Sequence, residues 1–266
     1  MHEAPIVQIG NLKFDLALIL TVIVSGIIVF ALAKLATRNL SVENPGKLQN
    51  FMEWVVEFVQ GLISSTMDYK KGAPFLSLGL TLIMFIFVSN MLGLPLVIPF
   101  KYTDPAAANF FGLPLTTVLD GLNSGKEYVE VGWWKSPTAD AASAMGLALI
   151  VFVLVHFLGI VKNPKHYFGH YFKPFFFFFP INLIEQFSKL LTHGMRLFGN
   201  IFAGEVLISV LLKMSTLWFG AGAIASILGL IVWQGFSIFV GVIQAFVFTI
   251  LAMVYISQSL ETDEDH

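Results

Sequence analysis

A run with no charged residue, MSTLWFGAGAIASILGLIVWQGFSIFVGVIQAFVFTILAMVYISQSL, extends from Met214 to Leu260. A helix needs roughly 20 apolar residues to cross a bilayer, so this run is too long for one simple span. Glycines interrupt it near its start, and we predict that its main helix covers residues 223–257. A span of that length would lie steeply tilted in the membrane.

The whole chain shares this apolar character. Of its 266 residues, 56% are hydrophobic and only 12% are charged, against ~25% charged in an average soluble domain. Further apolar segments cover residues 16–33, 75–100, 141–161 and 175–212. We therefore predict an all-α integral membrane protein with about five to six membrane helices, the last two long and steeply tilted, plus an amphipathic surface helix.

Composition and motifs also exclude several classes of function. The chain has no cysteine, which rules out disulfides, thiolate catalysis and Cys-ligated metal sites. It has no HExxH run and no phosphate-binding loop with the required spacing. A net charge of −2 argues against a nucleic-acid partner. We expect no metal, no cofactor and no catalytic activity of the chain alone.

The distribution of lysine and arginine predicts the orientation. Cations crowd the connections after the first and third spans, and the positive-inside rule places these connections in the cytoplasm. One membrane domain, 1–266, is then expected. It divides into the outer N-terminus and first span (1–36), a cytoplasmic amphipathic segment (37–74), the second span (75–100), an outer loop (101–138), the third span (139–161), a cytoplasmic loop (162–174) and a tilted helical hairpin carrying the ion path (175–260).

The first connection contains a helix with two different faces. Apolar residues recur at helical spacing between Leu48 and Leu62, with Glu53, Glu57 and Gln60 among them. Such a helix is typical of one that lies on the membrane surface. It fits equally well a helix packed on the cytoplasmic face of the protein itself.

A polar stripe runs through the segment 175–212. Successive spacings of three or four residues place its members on one helix face: Asn182, Glu185, Lys189, His193, Arg196 and Asn200. Ionisable residues inside a membrane cost at least ~2.5 kcal/mol each on insertion scales and are usually functional. A buried polar seam satisfied by the other helices is the structural alternative.

Within this segment, Arg196 and Glu205 invite different roles. A guanidinium does not deprotonate in proteins, so Arg196 can serve only as a fixed positive charge that attracts a carboxylate and repels a passing cation. Glu205 can exchange a proton. At about 100° per residue, nine residues turn it to the opposite face from Arg196, so it belongs to a different polar region. Its predicted role is that of a carboxylate that relays protons. A glutamate that snorkels to the outer surface is the alternative.

The last helix carries a matching polar face. Gln234, Ser237, Gly241 and Gln244 recur at spacings of three and four. Small residues at 237, 241 and 245 form a row that lets helices approach closely, and such packing explains the glycine. It does not explain Gln244, because an amide in lipid needs a partner.

These residues carry a resemblance to a known family. RLFGNIFAGE (196–205), followed by IQAFVFTILAMVYIS (243–257), closely resembles subunit a of the rotary ATP synthases, the membrane stator that passes protons to a rotating ring of c subunits. NFMEWVVEFVQGLISSTMD (50–68), SNMLGLPL (89–96) and WWKSPTAD (133–140) look like its bacterial, Gram-positive branch. The resemblance covers nearly the whole chain.

The resemblance implies roles for individual residues. Arg196 matches the essential arginine that faces the ring carboxylate, and Asn200 follows it in the same motif. Glu205, Gln244 and Asn90 match polar positions of the outer half-channel. Ser237 falls where some members carry a histidine, so a histidine-assisted relay does not transfer to this chain. The inner half-channel would involve Glu185 and Gln186, and Lys189 and His193 are further candidates for the proton path.

The implied function is that of a stator with two proton half-channels, which couples proton translocation to rotation of the c-ring for ATP synthesis or ATP-driven pumping. Expected partners are the c-ring, the b subunits, the remaining ATP synthase subunits and the lipid bilayer of a bacterial cell membrane. Two other classes fit the charged stripe in part. A secondary transporter could bind an anionic substrate at Arg196, although such folds usually show internal repeats and none is evident. A scaffold without transport gains nothing from a buried arginine.

Overall fold

The computed structural model of the chain describes residues 3–93, 99–162, 164, 167, 169, 172, 175–214 and 221–260. Its elements follow in the order β1 (Ile6–Ile9), β2 (Leu12–Asp15), α1 (Leu16–Ala36), α2 (Lys47–Thr66), α3 (Tyr69–Gly72), α4 (Leu76–Gly93), β3 (Pro99–Tyr102), β4 (Asn109–Phe110), β5 (Leu113–Pro114), α5 (Thr116–Asn123), β6 (Val129–Gly132), α6 (Ala141–Lys162), α7 (Phe179–Met214) and α8 (Ala221–Leu260).

Five of these helices, α1, α4, α6, α7 and α8, lie in segments long and apolar enough to cross a membrane. The predicted all-α membrane protein is therefore confirmed. The last two helices are also long, with 36 residues in α7 and 40 in α8. Their tilt in a membrane stays a prediction, as does the placement of the seven segments in the membrane or on either side of it.

The predicted end of the second span is wrong. We expected the span to reach residue 100, but α4 ends at Gly93, and Phe100 lies in β3, which pairs antiparallel with β6. Prolines at 95 and 99 account for the difference, because proline has no backbone N–H to donate within a helix. The other predicted span boundaries agree with the structure to within four residues.

One compact unit comprises residues 1–28, 88–140 and 200–241. Its residues outside the long apolar helices are folded rather than a plain loop. Strands β1 and β2 form a hairpin, and β1 packs beside α5, where the Thr116 hydroxyl donates to the Ile6 carbonyl at 3.0 Å. A small apolar core joins the hairpin to residues 101–138: Val7, Ala108, Leu115, Val118, Val129 and Val131. The N-terminus and this connection thus lie together, as expected of segments separated by two spans.

The second unit comprises residues 29–87, 141–199 and 242–266. Helices α4, α6, α7 and α8 meet in one apolar core built from Leu82, Ile86, Ala144, Ala148, Val151, Leu197, Ala245, Phe248 and Ala252. Helix α7 lies so close to α6 that a side chain at Gly194 would collide with Met145. This part of α7 is therefore held in a fixed position.

Helix α2 packs on the same unit through one face. Val59 and Ile63 are fully buried against Met253 and Ile256, and the Ser257 hydroxyl donates to the Thr66 carbonyl at 2.9 Å. This confirms that α2 covers the protein itself. Its other face remains exposed, with Trp54 62% accessible, and suits the membrane surface.

Candidate functional site

The predicted polar stripe lies on a single unbroken helix, α7. Burial differs sharply along it: Glu185 and Asn200 are exposed, Lys189 and Arg196 are half-buried, and His193 is buried. The stripe is therefore not one uniformly buried seam. Asn182 and Gln186 are half-buried on the same helix.

Arg196 is the central charge of this helix. Its side chain is half-buried, next to the fully buried Leu197. Among the side chains that the structure describes, no carboxylate forms an ion pair with Arg196. A guanidinium carries five N–H donors and no acceptor. Within the part of the chain that the structure describes, no carboxylate matches this charge, so it can serve a negatively charged partner.

Glu185 and Lys189 form an ion pair one turn apart, with Nζ 3.0 Å from Oε1. The side chain of Glu185 is 57% exposed in the isolated chain, so the carboxylate is not enclosed by the other helices. Such an i,i+4 pair stabilises a helix by only ~0.2–0.5 kcal/mol. The pair therefore restrains the exposed carboxylate of Glu185 only weakly.

His193 has a different environment from the rest of the stripe. It is 3% exposed, its ring centroid lies 3.8 Å from that of Phe248, and the Tyr255 ring stands edge-on at 5.7 Å. Its Nε2 makes no hydrogen bond to the described residues. Leaving a buried polar group unsatisfied costs about 1–3 kcal/mol, so this nitrogen calls for an acceptor or donor that approaches it.

Glu205 lies in α7, but its side chain is outside the described residues. Its predicted proton exchange stays a prediction. The backbone nearby supports close helix packing. Gly204 faces the Trp233 ring of α8. A Cβ atom added at Gly204 would lie 3.5 Å from this ring.

The polar face of α8 is buried on both sides of its middle. In the first unit, Ser237 is 5% exposed, and its hydroxyl has no hydrogen-bond partner among the described residues. The amide nitrogen of Gln234 is also buried and also has no described partner. Gln244, in the second unit, is 3% exposed. Two further buried donors on this helix, Ser226 and Trp233, were not predicted from the sequence. An isolated serine and a tryptophan are ordinary in a membrane helix and give no signal.

Asn90 is completely buried, and both ends of its amide are hydrogen-bonded. Its Nδ2 donates to the Gly241 carbonyl of α8 at 3.0 Å, and its Oδ1 accepts from the Thr138 hydroxyl at 2.7 Å. Ser136 adds a hydroxyl 2.7 Å from that of Thr138 and donates to the Ser89 carbonyl at 3.2 Å. We call these three side chains, Asn90, Ser136 and Thr138, the outer network. Its partnerships were not predicted.

An ion pair links the residue before Ser136 to the start of α1. Lys135 forms an ion pair with Asp15, whose carboxylate also accepts from the Leu18 N–H at the start of α1 at 3.1 Å. Asp140 lies 3.8 Å from the same ammonium group. Within the described residues, no cluster of three or more His, Asp or Glu side chains is placed to hold a metal ion.

Comparison with known proteins shows which family the chain resembles. The family described as ATP synthase A chain matches residues 18–257. ATP synthase subunit a of Priestia megaterium is 44% identical over 263 residues, which cover 98% of this chain and 99% of that protein. The corresponding subunits of Bacillus subtilis and Anoxybacillus flavithermus are 43% and 45% identical, with the same coverage of both chains.

Proposed function

This chain belongs to the ATP synthase subunit a family, and from that premise we propose that its polar helix faces carry protons to and from a ring carboxylate opposite Arg196. The family is the proton-translocating subunit of the membrane sector of F-type ATP synthases. The chain is accordingly a multi-pass protein of the bacterial cell membrane that works with the c-ring and the other subunits. It is not catalytic alone, because the catalytic sites lie in other subunits.

The observation that carries the proposal is the unmatched guanidinium of Arg196. A half-buried cation without a described carboxylate partner is expensive in a membrane, and a carboxylate brought by another subunit would offset that cost. In the same place the fixed charge repels protons that approach from either side. Arg196 thus both attracts the ionised ring carboxylate and separates the two proton routes.

For the outer route we propose Glu205 as the proton-exchanging group. The residues assigned to its lining and to the neighbouring helix contacts are Asn90, Asn200, Ser237 and Gln244. Serine at position 237 cannot carry charge, so the route would pass protons through hydroxyl and amide groups and water. Glu205 would be its one carboxylate among these residues.

For the inner route we propose the residues that precede Arg196 on α7: Glu185, Gln186, Lys189 and His193. The exposed carboxylate of Glu185 supports its role at the aqueous end. The N-terminal hairpin and residues 101–138 would lie outside the cell, and the connection that contains α2 would lie in the cytoplasm.

Rotation follows from the cost of charge in hydrocarbon. An ionised ring carboxylate is held at Arg196 and cannot enter lipid, whereas a protonated one can. Protons that enter by one route and leave by the other therefore turn the ring in one direction. In reverse, ATP hydrolysis elsewhere in the complex turns the ring and pumps protons outward. A transporter of anionic substrates or a passive scaffold explains neither the family membership nor this pairing.

The test is Arg196→Lys in the complete complex, reconstituted in vesicles with ATP present. Lysine keeps the charge but lacks the planar fork that matches a carboxylate. We expect ATP-driven acidification to be lost, while Lys162→Arg, at the end of α6, leaves it intact. Full pumping by Arg196→Lys would overturn the proposed role, because a gate that must both hold a carboxylate and stop leakage does not tolerate the change.

A further inference from the structure

We propose that the Nε2 of His193 is a resting acceptor for the guanidinium of Arg196, which it binds whenever the ring carboxylate is protonated and leaves. The inference deepens the proposed function and rests on the proposed pairing of Arg196 with that carboxylate. His193 would then serve the inner route as a positioning residue that acts through Arg196, and it need not carry the proton itself.

The imidazole is held in place and cannot serve the ring directly. His193 is 3% exposed in the isolated chain, so it does not present itself to a neighbouring subunit. The rings of Phe248 and Tyr255 enclose it at 3.8 and 5.7 Å, and Gly194 fixes the adjacent backbone against α6. The Nε2 has no partner among the described residues, and its burial means that a partner would come from inside this unit.

Arg196 is the donor best placed to reach it. Residues three apart on a helix are neighbours on one face, with ~5–6 Å between their Cβ atoms, and both residues lie in α7. Among the described residues, Lys189 lies one turn before His193 on the same helix, and the Tyr255 ring faces the imidazole. Lys189 already pairs with Glu185 at 3.0 Å, which leaves Arg196 as the cation without a described partner.

The guanidinium of Arg196 can alternate between the ring carboxylate and the His193 imidazole because the two bonds differ in strength. The guanidinium is charged in both bonds, but only the ionised carboxylate adds the Coulomb attraction of a full negative charge to the hydrogen bond. An ionised ring carboxylate therefore displaces the imidazole, while a neutral carboxylic acid does not hold the arginine. With the proton on Nδ1, the Nε2 lone pair accepts from the guanidinium. The imidazole thus lowers the free energy of the step in which the ring carboxylate departs.

The experiment compares His193→Leu, His193→Met and His193→Gln in the complete complex reconstituted in vesicles, with His156→Leu as the matched control. His156 is also in a membrane helix, but its Nδ1 lies 2.9 Å from the Phe152 carbonyl of its own helix. We expect about tenfold slower ATP-driven pumping in the two apolar variants, which corresponds to about 1.4 kcal/mol in the activation free energy, at an unchanged ratio of protons to ATP. Glutamine should restore at least half of the rate, because its side-chain oxygen is an acceptor.

Three outcomes would overturn the inference. They are wild-type rates in the apolar variants, equal loss in the glutamine and apolar variants (a packing role), or equal loss in His156→Leu. If one apolar variant fails to assemble, the other carries the comparison. Arg196→Lys, measured in parallel, tests the proposed function separately. Pumping by that variant defeats the proposed function, whereas wild-type rates in the His193 variants alone defeat only this inference.

Discussion

Asn90 and Arg196 are both polar residues inside a membrane protein, yet the structure treats them in opposite ways. Asn90 is completely buried and uses both ends of its amide, to Thr138 and to Gly241. Arg196 is half-buried and has no described ion-pair partner. A polar group that is bonded within the chain stabilises the fold. One that is left unmatched is available to a partner that comes and goes.

The largest effect should follow the loss of the unmatched charge. We expect Arg196→Ala to lower ATP-driven pumping by a factor on the order of 100 or more, the range for breaking a buried charge pair at 3–5 kcal/mol. The stability of the isolated chain should stay the same, because no described partner within it is lost. Pumping by the complex and denaturant titration of the purified chain measure the two effects, with the exposed Arg38→Ala as control. A large loss of stability would show that Arg196 is bonded within the chain after all.

The reverse pattern is expected at Asn90. Asn90→Leu leaves the Thr138 hydroxyl and the Gly241 carbonyl without this partner, and we expect a loss of about 2–4 kcal/mol in the free energy of unfolding. Denaturant titration of the purified protein in detergent would measure it, with the exposed Asn109→Leu as control. An unchanged midpoint would mean that the outer network does not hold the fold together.

A smaller loss should follow when only one hydroxyl is removed. Thr138→Val should cost about 1–2 kcal/mol of unfolding free energy, because the Asn90 carbonyl oxygen and the Ser136 hydroxyl lose their bond to it. Thr138→Ser keeps the hydroxyl and should stay close to wild type in the same titration. Equal losses in the two variants would assign the effect to the methyl group rather than to the hydrogen bond.

The smallest effect is expected at the exposed end of the polar stripe. Lys189→Gln breaks the ion pair with Glu185, whose side chain is 57% exposed. Such pairs contribute only ~0.2–0.5 kcal/mol. Unfolding titrations at low and high salt should therefore differ little between this variant and wild type. A loss above about 1 kcal/mol would place the pair among the structural contacts, beside Asn90.

Hydrophobic patterning alone predicts most of the helical fold. The apolar runs place α1, α6, α7 and α8 to within four residues, because spanning helices must satisfy their own backbone and need only length and hydropathy. The end of α4 at Gly93 was missed although the prolines beyond it were visible. The hairpin β1–β2 was missed because its strands have only four residues each.

The candidate site was predictable in composition but not in its contacts. Helical spacing correctly places Arg196 and His193 on one helix, but burial of His193 depends on Phe248 and Tyr255 of α8. The bonds of Asn90 join positions 48 and 151 residues apart along the chain. Such contacts follow from the packing of the whole unit, which periodicity within one helix does not report.

The central claim is that the residues around Ser237 and those around Gln186 belong to two routes that open on opposite sides. The chain has no cysteine, so single cysteines at Ser237 and Gln186, with Phe30 on α1 as a lipid-exposed control, can each be exposed to a small membrane-impermeant thiol reagent. The complete complex, freed of other accessible cysteines and reconstituted in vesicles of known orientation, is treated from one side at a time and its ATP-driven pumping is measured. The account predicts inhibition of Ser237→Cys only from the side that bears the N-terminus and of Gln186→Cys only from the other. Inhibition of both from the same side, or of neither from any side, would contradict it.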